Sequence, residues 1–547
     1  MERRVLLAVV LSSFVLVAYP AVLAKIYPVA KSDNIPMSTE RSDSPTSVAE
    51  QGELVKQTAG TSARLEKPES YHRVDTQRLS AVYSDRSGGI QLLVLPEYMD
   101  LDANQPVVVL HGERLSEHLL GLLTADEAHA DQLLITGYDC SFNGQRTTCR
   151  GITSEGVEVT KDFVMDEGAS VIRGSLIFTN STDHEAVIAT DIVLALTTTN
   201  HGQRTSYTKP AEVVVATSDR LYRASRDAVV RKGKQFNVQP SSLGLIERHF
   251  CIVGRFGQQI KAVHATALSG GQGIQARARL RMLIAPRTSQ TVPVELYAGP
   301  TDYRMLKSAG SGFAEVIKPG FLSHVGFVLL AILNGIHLVV RNYGVAIILL
   351  TIMVSIVLVP FNLMSIKSMQ RMKAIQPAVE KLRVACKDNK EKFNREYMEL
   401  LKKHRVNPLA GCLVPLLIQM PIFFSLLQVL SNAIELRGAQ FLWIHDLSAP
   451  DRLARLPVSL PIFGNELNLL PLLTVVAMFI QQRISQASMP KTCSEDMPDM
   501  SVIMLAVFAV WMYHAPAGPV IYWLVNTVIM IAWFRIALRQ PRIIEAA

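Results

Sequence analysis

The sequence predicts an α-helical polytopic membrane protein that carries a large all-β domain. Three observations lead there. Apolar runs of about 20 residues recur in a chain whose mean hydropathy is +0.22. Short alternating or β-branched runs fill the region between about Tyr71 and Pro300. A compact basic block separates two of the apolar runs. The 547 residues also exceed one typical domain.

The net charge of +8 is concentrated. Between Met364 and Cys412 there are twelve Lys/Arg and five Asp/Glu, and twelve minus five leaves +7. A basic chain suggests nucleic acid. A single basic block beside apolar spans is instead a topology signal, since cytoplasmic loops are enriched in Lys and Arg.

In chain order, Met1 to Ala24 is a targeting segment: Arg3 and Arg4, then the apolar run Val5–Val17, then Ala21-Val22-Leu23-Ala24. A cleaved signal and an uncleaved anchor both fit this pattern. Residues 25–70 are rich in Ser, Thr, Pro, Glu and Lys and read as a linker that buries too little to fold. The next segment, to about residue 318, reads as a large antiparallel sandwich, with a short helix over Thr301–Ala309 at its end. It shows no catalytic constellation. Cys140 and Cys149 bracket a hairpin signal at Asn143-Gly144 and are either a disulfide or two buried thiols. Cys251, Cys386, Cys412 and Cys493 have no metal spacing, and no cofactor or metal is expected.

Phe321–Val340 and Tyr343–Leu363 are both apolar, with only Arg341-Asn342 between them. If both crossed, the +7 block would lie outside. The economical reading places residues 319–342 along the outer surface as an interfacial helix and lets residues 343–363 span inward. The basic segment 364–412 reads as a helical hairpin. Met369, Met372, Ile375, Val379 and Leu382 form one apolar stripe, and Phe393, Tyr397, Leu400 and Leu401 face it. Four more spans follow, at about 413–432, 467–482, 501–514 and 519–538, with an external loop over Ala433–Glu466 and a cytoplasmic tail 539–547. With the N-terminal segment this makes six. Trp443 is expected at the membrane interface. Spans of about 15 residues reach roughly 22 Å against a hydrocarbon core of about 30 Å, which favours local thinning.

The span at 413–432 carries prolines and amides that are costly in lipid, so it lines something polar. NPLAGCLVPLLIQMPIFF, starting at Asn407, and ELRGAQFLWIHDLSAPD, starting at Glu435, resemble the core of the YidC family of membrane protein insertases. The order of parts resembles its Gram-negative form. The likeness is specific from about Pro319 to Leu538 and looser over the β domain. It implies an uncleaved anchor at 1–24, a periplasmic β-supersandwich at 71–318 related to sugar-mutarotase folds, and a five-span insertase core at 343–538. The residues carrying the motif are Asn407, Pro408, Gly411, Cys412, Pro415, Pro421, Pro516 and Gly518.

The resemblance implies a hydrophilic groove, open to cytoplasm and lipid and closed on the outer side. Nascent membrane proteins would enter it by their polar ends. Candidate lining residues are Ser355, Gln419, Ser425, Gln428, Gln481, Gln482 and Asn526, and each one also fits an ordinary interhelical hydrogen bond. The best-known members carry an arginine within the first core span. Aligned through Val359-Pro360, that position is Ser355 here. Lys373, Lys381, Arg383, Lys402, Lys403 and Arg405 would make the hairpin a docking site for ribosomes, targeting factors or the Sec translocon; a solvated hairpin that only fixes topology is the plainer reading. No bond is made or broken in this function, so no enzyme activity and no small-molecule substrate are expected. A transporter with a periplasmic binding domain competes with this reading, but the spans show no internal repeat. A membrane-tethered carbohydrate enzyme would need paired carboxylates, and none stand out.

Overall fold

The computed structural model describes residues 69–100, 104–125, 131–197, 211–269, 273–310, 312–317, 320–386, 390–404, 408–460, 463–487 and 500–539. The expected anchor and linker, and Arg405 and Asn407, lie outside the described residues. The chain divides into two units near Lys318.

The first unit is all-β apart from short helices. Its largest sheet is antiparallel and nine-stranded. Across it run Leu221–Ser225, Glu212–Ala216, Ser242–Ile246, Phe250–Phe256, Ser289–Pro300, Val171–Asn180, Val157–Met165, Arg146–Ile152 and Asp139–Asn143. A five-stranded sheet, built around the long pair Ala186–Thr197 and Gly273–Ile284, packs on it. Leu194 of the smaller sheet lies against Gly254 of the larger. A four-stranded meander over residues 71–111 completes the unit. Strand alternation drives this packing: along Val157–Met165, every second residue points inward and is buried. Cys140 pairs with Cys149 across the hairpin and the two form a disulfide, while Gly144 takes the turn at φ +58°.

One inward position in that strand is Lys161, which is fully buried. Its Nζ donates to the carbonyls of Ser87 (2.8 Å), Gly88 (3.1 Å) and Leu120 (3.0 Å) and lies 4.5 Å from the Tyr138 ring centre. Three acceptors match the three donors of an ammonium. Ser87 and Gly88 belong to the meander, and Leu120 is bonded to Val193 in the five-stranded sheet, so Lys161 ties three sheets together. Beside it, buried His118 meets the Ser87 hydroxyl at 2.8 Å through Nδ1. Burial lowers the His118 pKa to about 4, and nearby Lys161 pushes the same way against Glu69 and Glu117.

Helix α1 covers Arg226–Lys232. Helix α2, Tyr303–Ala309, is capped by Asp302, whose carboxylate accepts from the Arg304 and Met305 amides. Leu306, Phe313 and Val316 then pack on the nine-stranded sheet.

The second unit is helical: α3 (Phe321–Val340), α4 (Tyr343–Ala385), α5 (Lys390–Lys403), α6 (Pro408–Asn432), α7 (Leu469–Ala487), α8 (Met500–Tyr513) and α9 (Ala517–Arg539). Arg341 takes a left-handed conformation at φ 53°, and Asn342 caps α4 through the Val345 amide, which makes the sharp turn between α3 and α4. Helix α4 carries Pro360 and Pro377 and runs past its apolar stretch, Tyr343–Phe361, to Ala385, so it also forms one arm of the hairpin. A proline deletes one backbone donor, and both prolines lie at exposed positions of the helix. Helix α7 runs 19 residues, Leu469–Ala487, with its apolar stretch over Leu469–Ile484.

Candidate functional site

The helical unit has one large apolar core, with Ile347, Leu350, Val354, Leu426, Leu430, Val520 and Ile521 at its centre. Helix α9 packs on α4, α6 and α7; α6 packs on α3 and α4; α7 packs on α8. Phe423, Phe508, Trp511 and Trp523 form an aromatic cluster that joins α6, α8 and α9. Outward faces are apolar: Ile356 and Val357 on α4, Val476 on α7, Val507 on α8 and Val528 on α9 are all exposed. Such faces are stable against lipid tails and unfavourable against water.

Polar groups are enclosed within this apolar shell. Thr351 on α4 and Thr474 on α7 satisfy their hydroxyls on the carbonyls four residues earlier, at 2.6 and 2.8 Å. Ser355, one turn beyond Thr351, does not. It is 5% exposed, and its Oγ has no hydrogen-bond partner among the described residues. On α6, Gln419 Nε2 donates to the hydroxyl of Tyr522 on α9 at 2.7 Å, and Tyr522 is itself buried. The apolar run at 519–538 had hidden Tyr522 and the buried Thr527 as polar members; a tyrosine inside a span is the signal that marks the first.

The other expected lining residues are placed unevenly. Gln481, Gln482 and Asn526 are half-buried. Gln428 is exposed. Ser425 is fully buried where α3 crosses α6, with Gly326 close to the Ser425 carbonyl and to Val429, and its Oγ, like that of Ser355, has no hydrogen-bond partner among the described residues. A side chain at 326 would collide there, so the small residue lets two backbones approach. Pro408, Gly411, Cys412, Pro415 and Pro421 lie along α6, while Pro516 and Gly518 are buried at the start of α9.

The hairpin closes on itself. Ile375 and Val379 of α4 pack with Leu401 of α5, and Phe393, Tyr397 and Leu400 border them. Lys381, Lys402 and Lys403 are exposed on its surface. Lys373 and Arg383 are on α4, with side chains outside the described residues.

The segment expected as an external loop is more ordered than that reading. It holds a β-hairpin, Ala454–Leu460 with Gly464–Leu467, and sends Leu436, Ile444 and Leu447 into the core. Trp443 packs against that core as well. Among the described residues no cluster of three or more His, Cys, Asp or Glu is placed to hold a metal ion.

An all-β unit joined to a bundle of helices with exposed apolar faces defines a multi-pass membrane protein. Residues 72–331 match the YidC periplasmic domain family, and residues 335–541 match the 60Kd inner membrane protein family. A membrane protein insertase YidC from Geobacter sp. (strain M21) is 30% identical over 482 residues, covering 84% of each chain. One from Nitratidesulfovibrio vulgaris (strain DP4) is 29% identical over 549 residues, covering 97% of this chain and 98% of that one. One from Francisella philomiragia is 28% identical over 495 residues, covering 87% and 86%. The chain belongs to the YidC family of membrane protein insertases, and it is a multi-pass protein of the inner membrane.

Proposed function

We propose that the helical unit is a five-span half-channel, open to the cytoplasm and sideways to lipid, through which polar segments of nascent membrane proteins pass. The observation that carries this is the Ser355 hydroxyl, buried among apolar helices with no partner among the described residues. A buried orphan of this kind is costly unless water or a ligand meets it. Gln419 and Tyr522 add a polar pair across α6 and α9, and Gln481, Gln482 and Asn526 extend the polar set. The buried Ser425 hydroxyl, also without a partner among the described residues, joins this set, and the exposed Gln428 contributes least.

The mechanism needs no covalent step. A client's polar end enters the groove and avoids part of the several kcal/mol that an unsatisfied polar group costs in hydrocarbon. Its apolar segment then partitions into the bilayer, and burial in lipid supplies the driving force, with the membrane potential adding to it for charged segments. Helix α8, at 14 residues, reaches only about 21 Å at 1.5 Å per residue, which supports a thinned bilayer beside the groove.

The same reading sets the topology. Helices α4, α6, α7, α8 and α9 span, the N-terminal anchor adds a sixth span, and both chain ends are cytoplasmic. The β unit is periplasmic. Helix α3 is long and apolar enough to cross, but crossing would carry the basic hairpin outside, so it lies along the outer surface. The hairpin, with Lys381, Lys402 and Lys403 exposed, docks ribosomes, targeting factors or the Sec translocon.

The test is reconstitution. Liposomes containing the purified protein insert a single-span client without an energy source, and empty liposomes do not. Equal insertion in both sinks the reading.

A further inference from the structure

The loop between α6 and α7 does more than connect them. It supplies acceptors to the starts of two helices, whose first amides have no partner within the helix itself. The carbonyls of Leu447 and Ala449 accept from the Gly518 and Ala517 amides that open α9, at 2.9 and 2.8 Å. Asp451 does the same for α7. Its Oδ2 accepts from the Leu470 amide at 2.7 Å and from Trp443 Nε1 at 3.2 Å. Just before α7, Asn468 donates through Nδ2 to the carbonyl of Tyr513, the last residue of α8, and accepts from the Arg452 amide. The Tyr513 hydroxyl in turn donates to the Glu466 carbonyl at 2.7 Å. These bonds fasten the adjacent ends of α7, α8 and α9 into one polar knot.

Asp451 lies at its centre, beside the ion pair of Arg452 and Glu466 at 3.1 Å. It is 3% exposed, and its Oδ1 has no hydrogen-bond partner among the described residues. A carboxylate this buried is kept against a desolvation cost, and its position at a helix N-terminus offsets part of that cost. An apolar residue here would remove the cost and also the tie between Trp443 and α7.

We infer that Asp451 is a positioning residue that holds the outer end of the groove shut, through its bonds to the first turn of α7 and to Trp443. This rests on the half-channel reading above. Ile444 and Leu447 of the same loop pack into the apolar core that also holds Ile347 and Leu350 of α4, so loosening the loop gives water from the outer side a way toward Ser355.

The experiment is the sidedness of a thiol at position 355. Ser355→Cys is introduced into the full-length chain with Cys386, Cys412 and Cys493 replaced by serine. A membrane-impermeant maleimide is added to spheroplasts, which present the outer face, or to inverted vesicles, which present the cytoplasmic face. Peptide mass spectrometry reads the label at position 355. With Asp451 intact, labelling comes from the cytoplasmic face. Asp451→Ala raises the outer-face rate about tenfold, as loss of a charge-assisted hydrogen bond implies, and leaves the cytoplasmic-face rate unchanged. Trp443→Phe keeps most of the ring packing and deletes the donor. It raises the outer-face rate about threefold, and it carries the test if Asp451→Ala does not accumulate. Unchanged outer-face labelling in both variants, with cytoplasmic labelling retained, overturns the role of Asp451 and leaves the half-channel standing. An equal rise on both faces also overturns it, since that is general loosening. No labelling from the cytoplasmic face in the parent overturns the half-channel itself.

Discussion

The bond between Gln419 and Tyr522 separates a structural from a functional role for the groove's amides. Gln419→Leu leaves the buried Tyr522 hydroxyl without its donor, and an unsatisfied buried polar group costs about 1–3 kcal/mol. Interhelical hydrogen bonds in membranes lie lower, at about 0.6 kcal/mol on average and about 1.7 at most. Gln419→Leu is therefore expected to destabilise the helical unit by about 1 kcal/mol. Tyr522→Phe removes the other partner at similar cost. The double variant leaves no orphan on either side, and replacing both partners by apolar groups is nearly neutral, so it should lie within about 0.5 kcal/mol of the unaltered protein rather than at the sum of about 2. Stability is read from unfolding in mixed micelles, and insertion is read in parallel from reconstituted vesicles with a single-span client. If Gln419 offers polar surface to clients, insertion falls in Gln419→Leu and stays low in the double variant although stability returns. Insertion that recovers together with stability refutes a direct role for this amide.

Three further outcomes follow from the same structure. Lys161→Met strands three carbonyl acceptors where three sheets meet and should cost about 3 kcal/mol or more; pulse proteolysis of the full chain checks this, and a loss below about 1 kcal/mol contradicts it. His118 has a pKa lowered from 6.5 to about 4 by burial, so only the unfolded chain binds its proton across that window. Its contribution is complete above pH 6.5 and is lost as pH falls toward 4, at up to about 1.4 kcal/mol per pH unit; His118→Gln should flatten this slope in the same proteolysis assay, and an unchanged slope assigns it elsewhere. Ser355→Arg places a cation in the groove, so insertion should come to depend more on acidic residues in the client's outer segment; a strong dependence already present in the unaltered protein would contradict a groove without a fixed charge.

Local pattern made much of the architecture legible. Recurring alternating and β-branched runs marked the β unit, and the spacing of Ile375, Val379 and Leu401 gave the hairpin its buried seam. The strand Val157–Met165 was not singled out, and its Lys161 reads as solvated until its three acceptors, from distant turns, are seen. The continuity of α4 was not legible, because proline usually breaks a helix and this one runs unbroken through Pro360 and Pro377. In the candidate site, amides and serines in apolar runs were visible as oddities. Their directions were not. Whether Ser425 faced a groove or a crossing helix depended on Gly326, 99 residues earlier by the numbering. Gln419 and Tyr522 meet across 103 residues, and Asp451 finds the α7 amide across 19. No sequence period encodes such pairings.

The most direct measurement of the groove is a crosslink during insertion. A photoreactive benzophenone side chain is placed at position 419, in place of Gln419, and in a second protein at position 476, in place of Val476 on the exposed face of α7. A single-span client is arrested midway through insertion and illuminated. The account predicts an adduct between position 419 and the client's polar outer segment, while position 476 captures lipid or the client's apolar segment. Insertion that proceeds with no adduct to the polar segment at position 419, or with that segment captured equally at position 476, contradicts the groove as the path.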